Sequence, residues 1–327
     1  MKPTLRIVHL FCRFLQRERL NRENVIEEYK INSRTFDRDI RDIRYVLSEL
    51  HERDELIYDR NDKCYYLSRG GLQEFTGMDV MALLKVLLGS RALCHEEMMA
   101  IVDAVRSLLP YEDRKALYYA IEDELKNYIE PLHGKSILEL QWKLNKCIID
   151  KQKIQIIYTK SDGNKIERDI LPVNIVFAEF YFYLVAFRDE TEYEYPAFFR
   201  LDRIESVKVL GKVGENPLYA NFRYSDMRPS IQFMYAGKLF EVKLKCKKSA
   251  LEAVLDRVPK YEIVQEKPDD VLLKVTAFGE GFIRWVAMQG EAVEIIAPQE
   301  LRQRVGKWFT KAAEKYMQDV KECISYT

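Results

Sequence analysis

The hydrophobic period of this chain changes partway along, and that change constrains the fold more than any single motif. As far as about residue 150, apolar residues recur mostly at helical spacing. From 153 they gather in short β-rich runs, and beyond 239 strand-like and helical segments alternate. One layer architecture cannot absorb all three patterns, so the spacing predicts a multidomain α+β protein. At 327 residues, 47% hydrophobic and 32% charged, the chain can fill several cores and lacks the composition of a disordered one.

The first 50 residues carry three helical patterns separated by polar breaks. Leu5, Val8, Phe11, Cys12 and Leu15 form the stripe of the first, and Val25, Ile26 and Tyr29 mark the second. Phe36, Ile40, Ile43, Leu47 and Leu50 mark the third, with Asn32 placed as its N-cap. Leu56–Tyr58 and Cys64–Leu67 then flank the turn-forming Asp59-Arg60-Asn61-Asp62, which predicts a β-hairpin. Three helices followed by a hairpin describe a winged helix-turn-helix over residues 1–70. In the third helix Arg34, Arg38 and Arg41 share one face, away from Phe36, Ile40 and Ile43. That face suits the major groove of duplex DNA, with Ser33 and Thr35 in reach of phosphates or bases, and Arg60 and Lys63 in the hairpin loop suit backbone contacts. The competing possibility is a solvated face on which these arginines pair with Asp37, Asp39 and Asp42. The order of elements favours DNA.

Residues 71–150 read as a helical connector with segments Met78–Leu88, Met98–Leu109, Arg114–Ile129 and Ile137–Ile149, broken at Gly89, Pro110 and Pro131. Residues 151–212 hold the runs Ile154–Tyr158, Lys165–Leu171, Ile175–Phe177, Phe180–Phe187, Ala197–Leu201 and Val207–Leu210, for which a small closed β-barrel is the expected arrangement. Residues 213–238, rich in Gly and Pro, are expected to be a linker, and 239–327 a C-terminal α+β domain.

Several function classes fall away. The 52 basic and 52 acidic residues cancel, so affinity for nucleic acid must come from local placement of charge. Cys12, Cys64, Cys94, Cys147, Cys246 and Cys323 are scattered without CxxC spacing and read as reduced core residues of a cytoplasmic protein. His9 and Arg13 interrupt the N-terminal apolar stretch, and Lys85 breaks the strongest hydrophobic run, so neither export nor a membrane partner is expected. His95-Glu96-Glu97-Met98-Met99 lacks the second histidine of a zinc protease, and Gly279-Glu280-Gly281 is followed by Arg284 where a dinucleotide site needs a small residue. With no Walker loop and four histidines in no catalytic setting, no enzyme, cofactor or metal site is expected.

The segment Ile31-Asn32-Ser33-Arg34-Thr35-Phe36-Asp37-Arg38-Asp39-Ile40 resembles the recognition-helix signature of bacterial WYL-domain transcriptional regulators. Phe182-Tyr183-Leu184-Val185-Ala186 resembles their Trp-Tyr-Leu signature, and Phe199-Arg200-Leu201-Asp202-Arg203-Ile204 their Phe-Arg-Leu-Asp-Arg-Ile motif. The last domain, with Arg284-Trp285-Val286, Gly290 and Ala297-Pro298, is similar to the WCX extension of that family. Phe182 stands where the signature has Trp and removes an indole N–H donor.

The resemblance implies an Sm-like barrel that senses a nucleic-acid or nucleotide ligand, single-stranded DNA among the candidates, through Tyr158, Arg168, Tyr183, Arg200 and Arg203. Plain core packing of the strand, and pairing of Arg203 with Asp202 or Glu205, are the alternatives at those positions. It also implies a homodimer on a pseudo-palindromic operator, with repression favoured over activation. A different class of function is a single-stranded nucleic-acid-binding accessory module that regulates a partner enzyme.

Overall fold

The computed structural model describes residues 2–16, 18–50, 54–69, 75–189, 194–214 and 216–324, which divide into two compact units, Met1–Gly134 and Lys135–Thr327. The first unit opens with α1 (Pro3–Leu15), in which Pro3 occupies the first turn, where its missing N–H costs nothing. A two-residue strand β1 (Leu20–Asn21) precedes α2 (Arg22–Tyr29), and the Asn21 side chain caps α2 by accepting from the N–H groups of Glu23 and Asn24. Asn32 caps α3 (Ser33–Leu50) as expected: its Oδ1 accepts from the Thr35 N–H and from Thr35 Oγ1, both at 2.9 Å. The hairpin strands β2 (Asp54–Asp59) and β3 (Cys64–Arg69) pair antiparallel, and β1 adds to β3, giving the order β1-β3-β2.

Leu10, Phe14, Val25, Phe36, Ile40, Ile43, Leu47, Leu56 and Leu67 form the core between these helices and the sheet. The stripe expected on α1 is not its buried face. Arg6, Leu10 and Phe14 are buried, whereas Leu5, Val8, Cys12 and Leu15 are exposed. The helix is apolar on more than one side, and its phase is set by an ion pair: Arg6 Nε and Nη2 donate to Asp39 of α3 at 2.6 and 3.0 Å, with Asp39 fully buried.

Three further helices complete this unit. Helix α4 (Gly77–Ser90) begins at a reciprocal Thr76/Asp79 cap and runs through Gly89 rather than breaking there. Helix α5 (His95–Arg106) follows, and Pro110 precedes α6 (Tyr111–Lys126), which stops short of the expected Ile129. The Tyr128 hydroxyl instead bonds the Leu93 carbonyl at 2.7 Å, tying the segment after α6 back to the start of α5.

In the second unit α7 (Leu138–Ile149) packs on strands β4 (Gln152–Thr159) and β5 (Lys165–Ala178) through Leu144 and Cys147, so it belongs with the sheet and not with the helices before it. Strands β6 (Tyr181–Arg188), β7 (Ala197–Arg200) and β8 (Ile204–Lys212) complete an antiparallel sheet of order β7-β6-β5-β4-β8. The expected closed barrel is not formed, because β7 and β8 are the two unjoined edges of the ladder. They are nevertheless linked by a three-residue 3₁₀ turn, Leu201–Arg203. Such a turn spans roughly 13 Å at most, so the sheet must curl until its edges nearly meet. The two runs expected at 165–171 and 175–177 are one strand, bent where the register shifts between Pro172 and Asn174. Pro172 has no N–H to give the ladder, and a bulge accommodates it.

The expected linker is packed, not a free spacer. Short helices α8 (Pro217–Asn221) and α9 (Tyr224–Met227) lead into a cluster of Met227, Ile231 and Phe278 with Phe198 and Phe222, and the Phe222 ring meets Phe187 edge-on at 5.2 Å. Strand β9 (Leu239–Lys247), α10 (Leu251–Arg257), β10 (Tyr261–Glu266), β11 (Asp270–Phe278), α11 (Gly279–Met288), β12 (Val293–Ala297) and α12 (Gln299–Ile324) finish the chain. The sheet order β10-β11-β9-β12 is that of a ferredoxin-like βαββαβ unit. A Cβ on Gly237 would lie 2.4 Å from the Gly279 Cα, and one on Gly281 would lie 2.6 Å from the Phe233 carbonyl oxygen, so these backbones approach as only glycine allows.

Of the cysteines, Cys94, Cys147 and Cys246 are buried, but Cys12 is exposed and Cys64 half-buried, which corrects the reading of all as core residues; the side chain of Cys323 lies outside the described residues. No described helix is long and apolar enough to cross a membrane.

Candidate nucleic-acid interface and sensing strand

The buried face of α3 is Phe36, Asp39, Ile40, Ile43 and Leu47, and Arg34, Arg38 and Arg41 stand exposed on the other side. The seven steps from Arg34 to Arg41 rise roughly 10.5 Å, comparable with the ~12 Å width of the major groove. Two of the three aspartates that could neutralise them are engaged elsewhere. Asp39 is held by Arg6 of α1, and Asp37 by Arg22 of α2, whose Nη2 lies 3.0 Å from both carboxylate oxygens. Among the described residues, Arg34, Arg38 and Arg41 have no ion pair or hydrogen-bonding side-chain partner. Charge on this face is therefore available to an external anion.

Ser33 is exposed at the first turn of α3, while the Thr35 hydroxyl is occupied by the Asn32 cap. In the hairpin loop Asp59 Oδ1 accepts from the N–H groups of Asn61 and Asp62, which pulls the Asp59 pKa below the usual carboxylate range and fixes the turn. Arg60 and Lys63 are both exposed there, and Lys63 takes a left-handed φ of 52°. Sequence reasoning missed Arg19, which pairs with Asp59 and Asp62 and lies over the Tyr66 ring at 4.8 Å, bracing the hairpin. It also missed Arg6. The signal for Arg6 was Asp39 itself, an acid at a buried helical phase, which requires a buried cation.

The ladder register places Tyr183 of β6 opposite Arg200 of β7, on the face away from the core residues Leu184 and Phe199. The Arg200 guanidinium lies 3.3 Å from the centroid of Tyr181, and its Nε and Nη2 donate to Asp202 at 3.0 and 2.8 Å. Burial opposes the charge on Arg200 more than any single partner favours it, but hydrogen bonding and charge attraction to Asp202, with Tyr181 and Tyr183 adding to them, together hold its pKa above the ordinary value. The pairing weighed for Arg203 is thus made by Arg200. Glu205 is taken by Lys165 and Thr159, and Arg203 is half-buried with no ion pair among the described residues.

Tyr158 lies inside the core, edge-on to Phe199 at 5.3 Å, with its hydroxyl accepting the Arg200 backbone N–H at 3.4 Å across the open seam of the sheet. Arg168 is not brought to this cluster. It donates to the Glu167 carbonyl and lines a separate cleft of about 390 Å³ with Gln155, Asp169 and Asp189. Phe182 packs on Phe177 at 5.3 Å, so the aromatic wall is kept without an N–H. Tyr181 and Asp202 hold Arg200 from two sides; Tyr181 was not among the sensing residues read from sequence, and Asp202 was weighed there only as a partner for Arg203.

Burial pushes the Tyr183 phenol up to about 12, with Arg200 pulling it the other way. Its neutral form therefore contributes stability that is present below pH ~10 and lost as the pH rises through 12. Absorbance titration near 295 nm of the protein minus its Tyr183→Phe variant should show one phenol ionising near pH 12; a difference centred on pH 10 would contradict the buried placement.

A family model described as WYL domain matches residues 141–209, from α7 through most of β8, and one described as WCX domain matches residues 238–313, from β9 into α12. Comparison with the curated proteins finds no match. Among solved structures the chain is similar to proteasome accessory factor B/C (PafBC) of Arthrobacter aurescens, at 17% identity and a TM-score of 0.31, covering 95% of this chain and 48% of that one. It thus spans about half the length of that protein. It is also similar to a CRISPR Cas-related protein, at 14% identity and a TM-score of 0.39, covering 89% of this chain and 88% of the other.

Proposed function

This chain is a WYL-domain protein with a C-terminal WCX domain, and from that premise we propose that it is a sequence-specific, duplex-DNA-binding transcriptional regulator. In this reading residues of the first unit act as a winged helix, with α3 in the major groove and the β2–β3 hairpin as the wing. The observation that carries it is the exposed row Arg34, Arg38 and Arg41, whose neighbouring acids Asp37 and Asp39 are occupied by Arg22 and Arg6. Arginine at such positions reads guanine through two hydrogen bonds, and Arg60 and Lys63 hold phosphates. The regulator works as a homodimer in the bacterial cytoplasm on a two-fold operator, repression is the favoured sign, and no catalytic chemistry is assigned to it.

The curled sheet of the second unit is the sensor. Tyr183, Arg200 and Arg203 form the part of it that meets a nucleic-acid or nucleotide ligand, with Tyr181 as a further stacking surface. Because Arg200 is already paired with Asp202, a phosphate must share or displace that carboxylate. The ligand controls DNA binding only to the extent that it binds one arrangement of the dimer better than the other.

Fluorescence anisotropy of a labelled duplex, with and without short single-stranded DNA, tests both halves. Arg200→Ala should leave duplex affinity in the absence of effector unchanged and remove the response to the single strand. Loss of duplex binding in that variant without effector would contradict the division of labour.

A further inference from the structure

Between α7 and β5 the second unit holds a groove of about 440 Å³ lined by Leu138, Gln141, Trp142, Asn145, Asn174 and Ile175. Trp142 is 63% exposed beside it, a large aromatic surface left to solvent, and Lys146 one turn along places Nζ 5.8 Å from the indole centroid. Gln141 Oε1 is shut off from solvent and has no hydrogen-bond partner among the described residues. A desolvated acceptor without a donor is costly, and such exceptions call for a missing partner. Asn174 sits at the bulge of β5, where its Oδ1 accepts the Ile175 N–H at 2.9 Å and leaves its Nδ2 as a donor. Among the described residues, no charged side chain lines the groove.

We propose that this groove binds an adenine base, stacked on Trp142, with Gln141 accepting from the exocyclic amine and the Asn145 or Asn174 amide donating to a ring nitrogen. An aromatic plate supplies stacking that any base can use, and paired amide donor and acceptor groups match the edge of adenine. The neutral lining favours the base over a phosphate, and Lys146 at the rim is the cation for a phosphate attached to it. The base belongs either to a free nucleotide or to a single strand. This deepens the sensing half of the reading above and rests on that half alone, at a place distinct from the Tyr183–Arg200 pair.

Isothermal titration calorimetry of the full chain with adenosine, AMP and the hexamer (dA)6 tests it. At least one of the three should bind the unaltered protein, with Trp142→Ala and Gln141→Ala each weakening it about tenfold or more. Trp142→Phe should retain most of the affinity. Binding of adenosine or AMP assigns the base to a nucleotide; binding of (dA)6 alone assigns it to a single strand. No binding of any probe, or binding indifferent to Trp142→Ala, overturns the proposal. Duplex affinity measured on the same samples reports separately on the regulator reading, since Trp142→Ala should leave it unchanged.

Discussion

Asp39→Ala should destabilise the first unit by about 3–5 kcal/mol. Asp39 is fully buried and the Arg6 side chain is 6% exposed, so truncating the acid strands a guanidinium away from water with its two donors unpaired. A guanidinium stays charged in proteins whatever its surroundings, so in the variant the group does not escape by losing its proton. Domains are commonly stable by only about 5–15 kcal/mol, so the variant should sit near its unfolding threshold at room temperature. Urea unfolding followed by circular dichroism checks this. Replacing both partners, Arg6→Met with Asp39→Leu, should recover most of the loss, because the stranded charge is gone. A silent Asp39→Ala would mean that α1 is not docked on α3 through this pair.

Removing the three exposed arginines should have the opposite signature. Arg34→Ala, Arg38→Ala and Arg41→Ala together should change the unfolding free energy from urea titration by no more than about 0.5 kcal/mol per substitution, since surface positions contribute little to folding. Duplex affinity should fall steeply. A base-reading arginine is worth about 1–3 kcal/mol, so Arg38→Ala alone should cost between about fivefold and about 160-fold. Each lost phosphate contact should also flatten the dependence of log affinity on log salt by about 0.9. Unchanged affinity and salt slope in the triple variant would remove the assignment of this face.

On α3 one apolar face is sharply separated from a charged one, so periodicity located both the core residues Phe36, Ile40, Ile43 and Leu47 and the exposed arginines. On α1 apolar side chains surround most of the helix, and the phase was decided by a long-range ion pair that spacing along one helix cannot report. The strands of the second unit were legible from their β-branched and aromatic runs, but the bulge at Pro172–Asn174 made one strand look like two. Closure of the sheet was not legible, because edge pairing between β7 and β8 depends on backbone geometry and not on residue type. Of the five sensing residues, the register brings Tyr183 and Arg200 together and leaves Arg168 in another cleft. Family likeness fixes positions along a chain, whereas curvature decides which of them meet.

The most direct test is selection of binding sites from a random duplex pool with the purified protein, run beside the Arg34→Ala, Arg38→Ala, Arg41→Ala variant. The account predicts that the unaltered protein enriches a two-fold symmetric motif whose half-site centres lie about one helical turn, roughly 34–36 Å, or a whole multiple of it apart. It predicts no such motif from the variant. Failure of the unaltered protein to enrich any duplex sequence, or recovery of the same motif by both proteins, would contradict it.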